Sequence, residues 1–442
     1  MDVQSENLSA SPATRTHRYV SILRYRNFLK LWGAQASSKL AENVLNFSLV
    51  ILIYQLTHSS FMVSLLLVLI GVPPILLSAA AGVVADTHNR KTIMFLSNLT
   101  RFFLVVMAII FHEQAWVLLG VAFILSVLAQ FFSPAEVSSI PTLVDKEHLF
   151  TANSIYSFTS YTTFLIGYTI AGPLLQRWHS TNLFICVMVL YGIASLLSGW
   201  LPPLVEHLRD AAQRSLRLID WADFRHRLTE GMRIILTNRV IRFVMIQMAI
   251  VFSIQRGFLS MAPAFAENFL KFNLDKISVY LILPVGVGAL AGVLLANTIK
   301  HRVAKSQMIT GGMIINGLAL LSLAFWTAGH SALTALGVSI SQEAFAPIIV
   351  SILAFLSGFA DPFIIVSVQT TLQERTEPAD RGRVFGGLYT FMNLAGLAPI
   401  LIIGAITNLV NLNVVVLILG LTVMTAAVWG IFFYRRYGLG AE

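Results

Sequence analysis

Residues 60–111 read SFMVSLLLVLIGVPPILLSAAAGVVADTHNRKTIMFLSNLTRFFLVVMAIIF. Two apolar runs, 61–85 and 92–112, flank a short polar loop that closes on the basic pair Arg90 and Lys91. Crossing the hydrocarbon of a bilayer as helix takes about 20 mainly apolar residues, because every backbone N–H and C=O must then be satisfied within the segment. Each run is long enough to cross, and a basic loop between two such runs belongs on the cytoplasmic side.

The pattern extends along the whole chain. Further apolar runs at 30–55, 115–135, 151–175 and 181–201 precede a polar stretch, and runs at 241–264, 277–299, 306–328, 346–372, 384–407 and 412–434 follow it. A chain of 442 residues with 56% hydrophobic and 12% charged residues is too apolar and too poor in charge for a water-soluble domain. The expected fold is an all-α polytopic membrane protein with twelve transmembrane helices in two pseudo-symmetric six-helix bundles, at 29–202 and 241–434. Residues 1–28 and 435–442 read as cytosolic tails, the first too polar for a cleavable secretory signal. The segment 203–240 reads as a linker. There Leu216, Ile219, Trp221, Phe224 and Leu228 fit an amphipathic helix on the inner membrane surface, and a solvated linker fits equally.

The net charge of +9 does not point to nucleic acid, because the basic residues lie in short clusters between apolar runs instead of along one polar face. With the N-terminus inside, 23 of the 30 Lys and Arg residues fall in cytoplasmic segments. Only Arg177, Lys271 and Lys276 fall on the opposite side, so both termini are expected in the cytoplasm. A single cysteine, Cys186, excludes a disulfide framework within one chain. No G-x-x-x-x-G-K-(S/T) or H-E-x-x-H pattern occurs. The G-V-G-A-L-A-G of 286–292 lacks the strand that a dinucleotide fingerprint needs and reads as a small-residue packing face. Neither an enzyme nor a cofactor or metal is expected.

The halves echo one another. QFFSPAEV at 130–137 precedes TLVDKEHL, and GFADPFII at 358–365 precedes TLQERTEP, which suggests an internal duplication with a central site between the repeats.

In the loop that opened this reading, Gly82, Asp86, Arg90 and Lys91 offer a small residue for close helix approach, an acid at a helix end and a basic pair. Here the sequence resembles the major facilitator superfamily, whose loop signature is G-x-x-x-D-(R/K)-x-G-R-(R/K), with Thr87 and Asn89 departing from it. The resemblance implies that this loop latches the cytoplasmic side, with Asp86 a gate and not a substrate ligand. PAEVSSIPTLVDKEHLFTANS at 134–154, DFRHRLTEGMRIILTNRVIRF at 223–243 and TLQERTEPADRGRVFG at 371–386 look like the bacterial branch of enterobactin exporters and macrolide efflux carriers. Gly167, Gly172 and Pro173 partly match the family's antiporter motif, with Leu174 and Leu175 in place of its later glycines. A kinked helix packed through small residues accounts for them equally.

Ionisable residues inside the apolar runs are the candidate working groups, because a charge in lipid is costly unless it faces a partner or a wet cavity. Gln35, Lys39, Glu42, Asn43 and Asn46 form one helical stripe, expected to line the cavity. Two readings fit Glu42: a substrate or proton site, at a position where the branch commonly has an acid, or a fixed ion pair with Lys39. Arg101 reads as a structural or gating group able to snorkel to the inner interface. Arg256 is placed to meet an anionic group or a carboxylate. Asp361, before Pro362, is expected at a helix kink where an acid and freed backbone groups bind a cation or proton.

The resemblance implies a monomeric secondary carrier that exports a small amphipathic molecule, drug-like or a siderophore, against a proton gradient. A lysophospholipid flippase of the same fold, or a scaffold that has lost transport, are the alternatives. The partners expected are the lipid bilayer, a small-molecule substrate and a proton, with no nucleic acid.

Overall fold

The computed structural model describes residues 22, 24–204, 237–270, 276–299, 302–326, 342–375, 381–407 and 410–436. The expected linker helix and most of both tails lie outside the described residues.

Each apolar run forms a helix: α1 (Arg26–Thr57), α2 (Ser60–Thr87), α3 (Arg90–Ile110) and α4 (Ala115–Leu143). The next element, Leu149–Gly199, is interrupted at His179, where φ is 61° and ψ 167°, and this divides it into α5 (149–178) and α6 (180–199). The second half holds α7 (Arg239–Ala264), α8 (Leu283–Ile299), α9 (Lys305–Ala324), α10 (Gln342–Arg375), α11 (Arg381–Thr407) and α12 (Leu412–Arg436). Wide π turns, Phe265–Leu270 and Ser278–Ile282, prolong α7 and introduce α8. Twelve helices are thus present among the described residues, as the apolar runs predict.

One boundary moves well past the end of its apolar run. The expected fourth span ends at 135, yet α4 runs through Pro134 and Pro141 to Leu143. The tenth helix also contains prolines, Pro347 and Pro362, as the expected span 346–372 already does. Inside a membrane protein the groups that proline frees are re-satisfied by neighbouring helices, whereas an unfolded backbone in lipid has no such outlet.

The helices α1–α6 enclose one core around Phe47, Leu49, Ile51, Phe184 and Tyr191, and α7–α12 enclose another around Met245, Met261, Met313 and Val416. Small residues set the closest approaches. On α8, a Cβ at Gly288 would strike the Phe355 carbonyl oxygen of α10, and one at Gly292 that of Phe359. From the other side, a Cβ at Gly358 of α10 would strike the carbonyl of Val285. The glycine run 286–292 is therefore a helix-packing face.

Among the described residues, contacts that join the halves gather at the end of the bundle away from Arg26 and Arg436. Gly404 of α11 abuts Ser64 of α2, His58 lies 3.9 Å from Glu267, and Ala264, Ala266 and Ile277 pack into the core of the first half. At the opposite end, each half ties its third helix to its fourth. Arg90 Nη1 donates to the Ser138 carbonyl (2.8 Å), and Lys305 pairs with Glu374.

Overpacking a tight helix contact costs about 1–3 kcal/mol. Gly358→Val is expected to lower the thermal unfolding midpoint in detergent, whereas Gly311→Ala, where a Cβ meets nothing within 4 Å, leaves it unchanged.

Candidate functional site

The α1 stripe is divided among several partners. Gln35 is fully buried and donates to the Tyr156 carbonyl and to Ser160 Oγ of α5, both at 3.0 Å. Asn43 meets α5 at Gly167, where a Cβ would come within 2.7 Å of the Asn43 Cβ. Gly167 thus works as a close-approach point for α1. The backbone stays helical at Gly172 and Pro173, and the only non-helical residue in the run is His179, so the motif does not break the helix. Asn46 is half-buried on the same helix.

Lys39 and Glu42 pair at 3.2 Å, with side chains 22% and 25% exposed. Arg101 of α3 joins them, its Nη1 3.9 Å from Glu42 Oε2 and donating to Ser38 Oγ at 2.9 Å. Ser38 donates to Asn98, which reaches Ser198 of α6. The Arg101 guanidinium lies over the rings of Phe132 (5.1 Å) and Tyr191 (5.6 Å). At 1% exposure Arg101 is a core residue and does not snorkel to the inner interface. A carboxylate, a hydroxyl and two aromatic faces inside the bundle replace the water it would otherwise seek.

A second acid was missed. Glu136 of α4 is fully buried and accepts from the Tyr156 hydroxyl at 2.6 Å, while its Oε1 has no partner. Ending the fourth span at 135 left Glu136 just outside the membrane, and the continuation of α4 carries it into the bundle. The sequence signal was present, an acid close to the proline that matches Pro362 before which Asp361 stands.

In the second half, Asp361 Oδ1 accepts from Gln255 Nε2 of α7 (2.5 Å) and Asn316 Nδ2 of α9 (2.9 Å). Asn316 in turn accepts from Ser357. Because α10 runs on through Pro362, these amides hold Asp361, and not the backbone groups of a broken helix. Arg256 lies over the Phe252 ring at 5.0 Å, beside Gly71 of α2 and Gly396 of α11. Gln255, Arg256, Asn316, Ser357 and Asp361 line a cavity of about 300 Å³ whose other walls are almost all apolar. The first half contributes Phe164. None of the five α1 stripe residues lines this cavity, so Glu42 and Asp361 do not share it. Of the stripe, Gln35 bonds to α5 and Glu42 pairs with Arg101 of α3 and with Lys39.

The two halves repeat this arrangement in register. Glu42 lies sixteen residues after Arg26, and Gln255 sixteen after Arg239; Arg101 lies eleven after Arg90, and Asn316 eleven after Lys305. First, third and fourth helices of each half therefore meet in a polar cluster, charged in the first half and amide-rich around one acid in the second.

In the α2–α3 loop, Asn89 caps α3 by accepting from the backbone N–H of Lys91 (3.1 Å) and also accepts from that of Leu204 (3.1 Å). Arg90 is buried and also donates to the Ala85 carbonyl at 3.3 Å. A Cβ at Gly82 would meet nothing within 4 Å, so the close approach its smallness permits is not made in this state. The side chain of Asp86 lies outside the described residues.

Removing one partner of a fully buried ion pair costs about 3–5 kcal/mol, and because Lys39 still faces Glu42 the loss on removing Arg101 is smaller than that. Arg101→Ala is expected to lower the unfolding midpoint in detergent, and adding Glu42→Gln to recover part of the loss. Equal midpoints for the single and double variants would show that the pair is not coupled.

Residues 31–352 match the family model described as Major Facilitator Superfamily. Over 373 residues the chain is 23% identical to macrolide efflux protein A of Streptococcus pyogenes, covering 83% of this chain and 86% of that protein. It is 24% identical over 259 residues to the staphyloferrin A transporter of Staphylococcus aureus, covering 58% and 62%. The fold is similar to the crystal structure of the nucleoside transporter NupG, with a TM-score of 0.68 at 14% identity over 93% of this chain and 99% of that one. The chain belongs to the Major Facilitator Superfamily and is a multi-pass transporter of a bacterial cell membrane with a small-molecule substrate.

Proposed function

We propose that this protein exports a small amphipathic molecule, drug-like or siderophore-like, in exchange for protons by alternating access. The observation that carries the reading is Asp361 in its cavity. An acid held on one oxygen by two amides, Gln255 and Asn316, leaves Oδ2 without a donor among the described residues. That oxygen can take either a proton or a polar group of the substrate, and competition between the two couples their movements. The apolar walls, with Phe164 and Phe258 among them, suit an apolar body, and Arg256 gives the same space a cationic group.

Outward direction is supported by the efflux role in the name of the macrolide relative. The siderophore class is supported by the name of the staphyloferrin A relative. Placing both termini in the cytoplasm, as the basic loops indicate, makes the end where the halves meet the outer one. The structure then represents an inward-facing state, ready to load from the cytoplasm or inner leaflet.

The test uses inside-out proteoliposomes with an imposed proton gradient and three probes: a radiolabelled macrolide, a metal-free hydroxycarboxylate siderophore and a fluorescent lysophosphatidylcholine. Gradient-driven accumulation of one of the first two is expected in wild type and is lost in Asp361→Asn. Movement of the lysophospholipid alone would replace this reading with a lipid flippase, and accumulation indifferent to the gradient would remove proton coupling.

A further inference from the structure

The acid that the first half buries most deeply is not Glu42, which is neutralised by two cations. Glu136 has no exposed surface, and among the described residues no basic group stands within ion-pair distance of it. Its contact is the Tyr156 hydroxyl on α5, and its Oε1 has no hydrogen-bond partner among the described residues. The charged groups that face it at longer range are Lys39 and Glu42 of α1 and Arg101 of α3. Burying an isolated carboxylate in apolar surroundings costs far more than burying the neutral acid.

Arg101 is incomplete in a complementary way. Its Nη1 serves Ser38 and Glu42, while Nε and Nη2, both buried, have no hydrogen-bond partner among the described residues. A carboxylic acid with an empty oxygen and a guanidinium with two idle donors thus occupy one cluster on adjacent helices.

We propose that Glu136 is a second proton site, distinct from Asp361, and that Arg101 is the counter-ion it acquires on deprotonation. Glu136 holds its proton while it is buried as seen here. When rearrangement of α1, α4 and α5 admits water, the O–H bond breaks heterolytically, the proton passes to water, and the carboxylate draws the free Nε and Nη2 of Arg101. That shift loosens Arg101 from Glu42, so the charge on Glu136 is converted into a change in α1–α3 packing. The transport consequence rests on the reading of this protein as a proton-driven carrier, whereas the site itself does not.

Infrared titration of the full chain in an ester-free detergent tests the site without a substrate. Wild type is expected to show a carboxylic-acid C=O band that Glu136→Gln removes and Glu42→Gln leaves in place. It is expected to vanish as pH rises, since the band belongs to the protonated form. Tyr156→Phe, which removes the hydroxyl donor but not the acid, is expected to shift the frequency of the same band and serves if Glu136→Gln does not fold. A band unchanged in folded Glu136→Gln, or unmoved in Tyr156→Phe, overturns the proposal. In proteoliposomes with the labelled macrolide, Glu136→Gln is expected to keep gradient-independent exchange and lose gradient-driven accumulation. A wild type that moves no probe would defeat the transport reading alone, because the infrared band still decides the site.

Discussion

A charge withdrawn from water into the centre of a helical bundle costs several kcal/mol unless it is met by a partner there. Arg101, at 1% exposure, is the point where this protein meets that constraint most severely. Its position is tolerable because α1 supplies Glu42 and Ser38, α4 supplies Phe132 and α6 supplies Tyr191. Four helices of the first half are therefore held in register around one guanidinium. Membrane helices gain little from the hydrophobic effect once inserted, since lipid tails are as apolar as leucine, so such polar junctions and close small-residue packing must specify the arrangement.

The second half solves the corresponding problem with less charge. Gln255 and Asn316 occupy the positions that Glu42 and Arg101 hold in the first, and together they hold Asp361. Neutral amides orient an acid without cancelling its charge, whereas a neighbouring cation favours the charged form. This difference makes the second-half cluster the better place for exchange of a proton or a ligand. It also explains why Glu42, though more conspicuous in the sequence, is less free to change its state than Asp361 or Glu136.

Glycines complete the picture where a side chain would hold helices apart. Gly288, Gly292 and Gly358 bring α8 and α10 into backbone contact, and Gly167 does the same for α5 and α1. Gly358 lies one turn before Asp361, and Gly167 meets Asn43, the residue after Glu42, so close backbone approach sits next to both polar clusters. Gly404 against Ser64 adds a close contact between halves at the end where they meet, the geometry expected of a pivot that leaves the other end free to separate.

The amino-acid sequence by itself determined twelve helices, their division into two related halves, the family and the small-residue face at 286–292. Those follow from apolar length, period and local motif, which depend on neighbours in the chain. It also marked Asp361 as a buried acid worth explaining. Only the tertiary structure decided that Arg101 lies in the core, that Glu42 is shared between Lys39 and Arg101, that Glu136 is inside the bundle, and that Asp361 but not Glu42 lines the cavity. The reason is distance along the chain: Gln255 and Asp361 are 106 residues apart and Arg101 and Ser38 are 63, so their meeting depends on which helix faces pack together. Apolar length ends the fourth span at 135, but α4 continues to Leu143, and that continuation carries Glu136 into the interior.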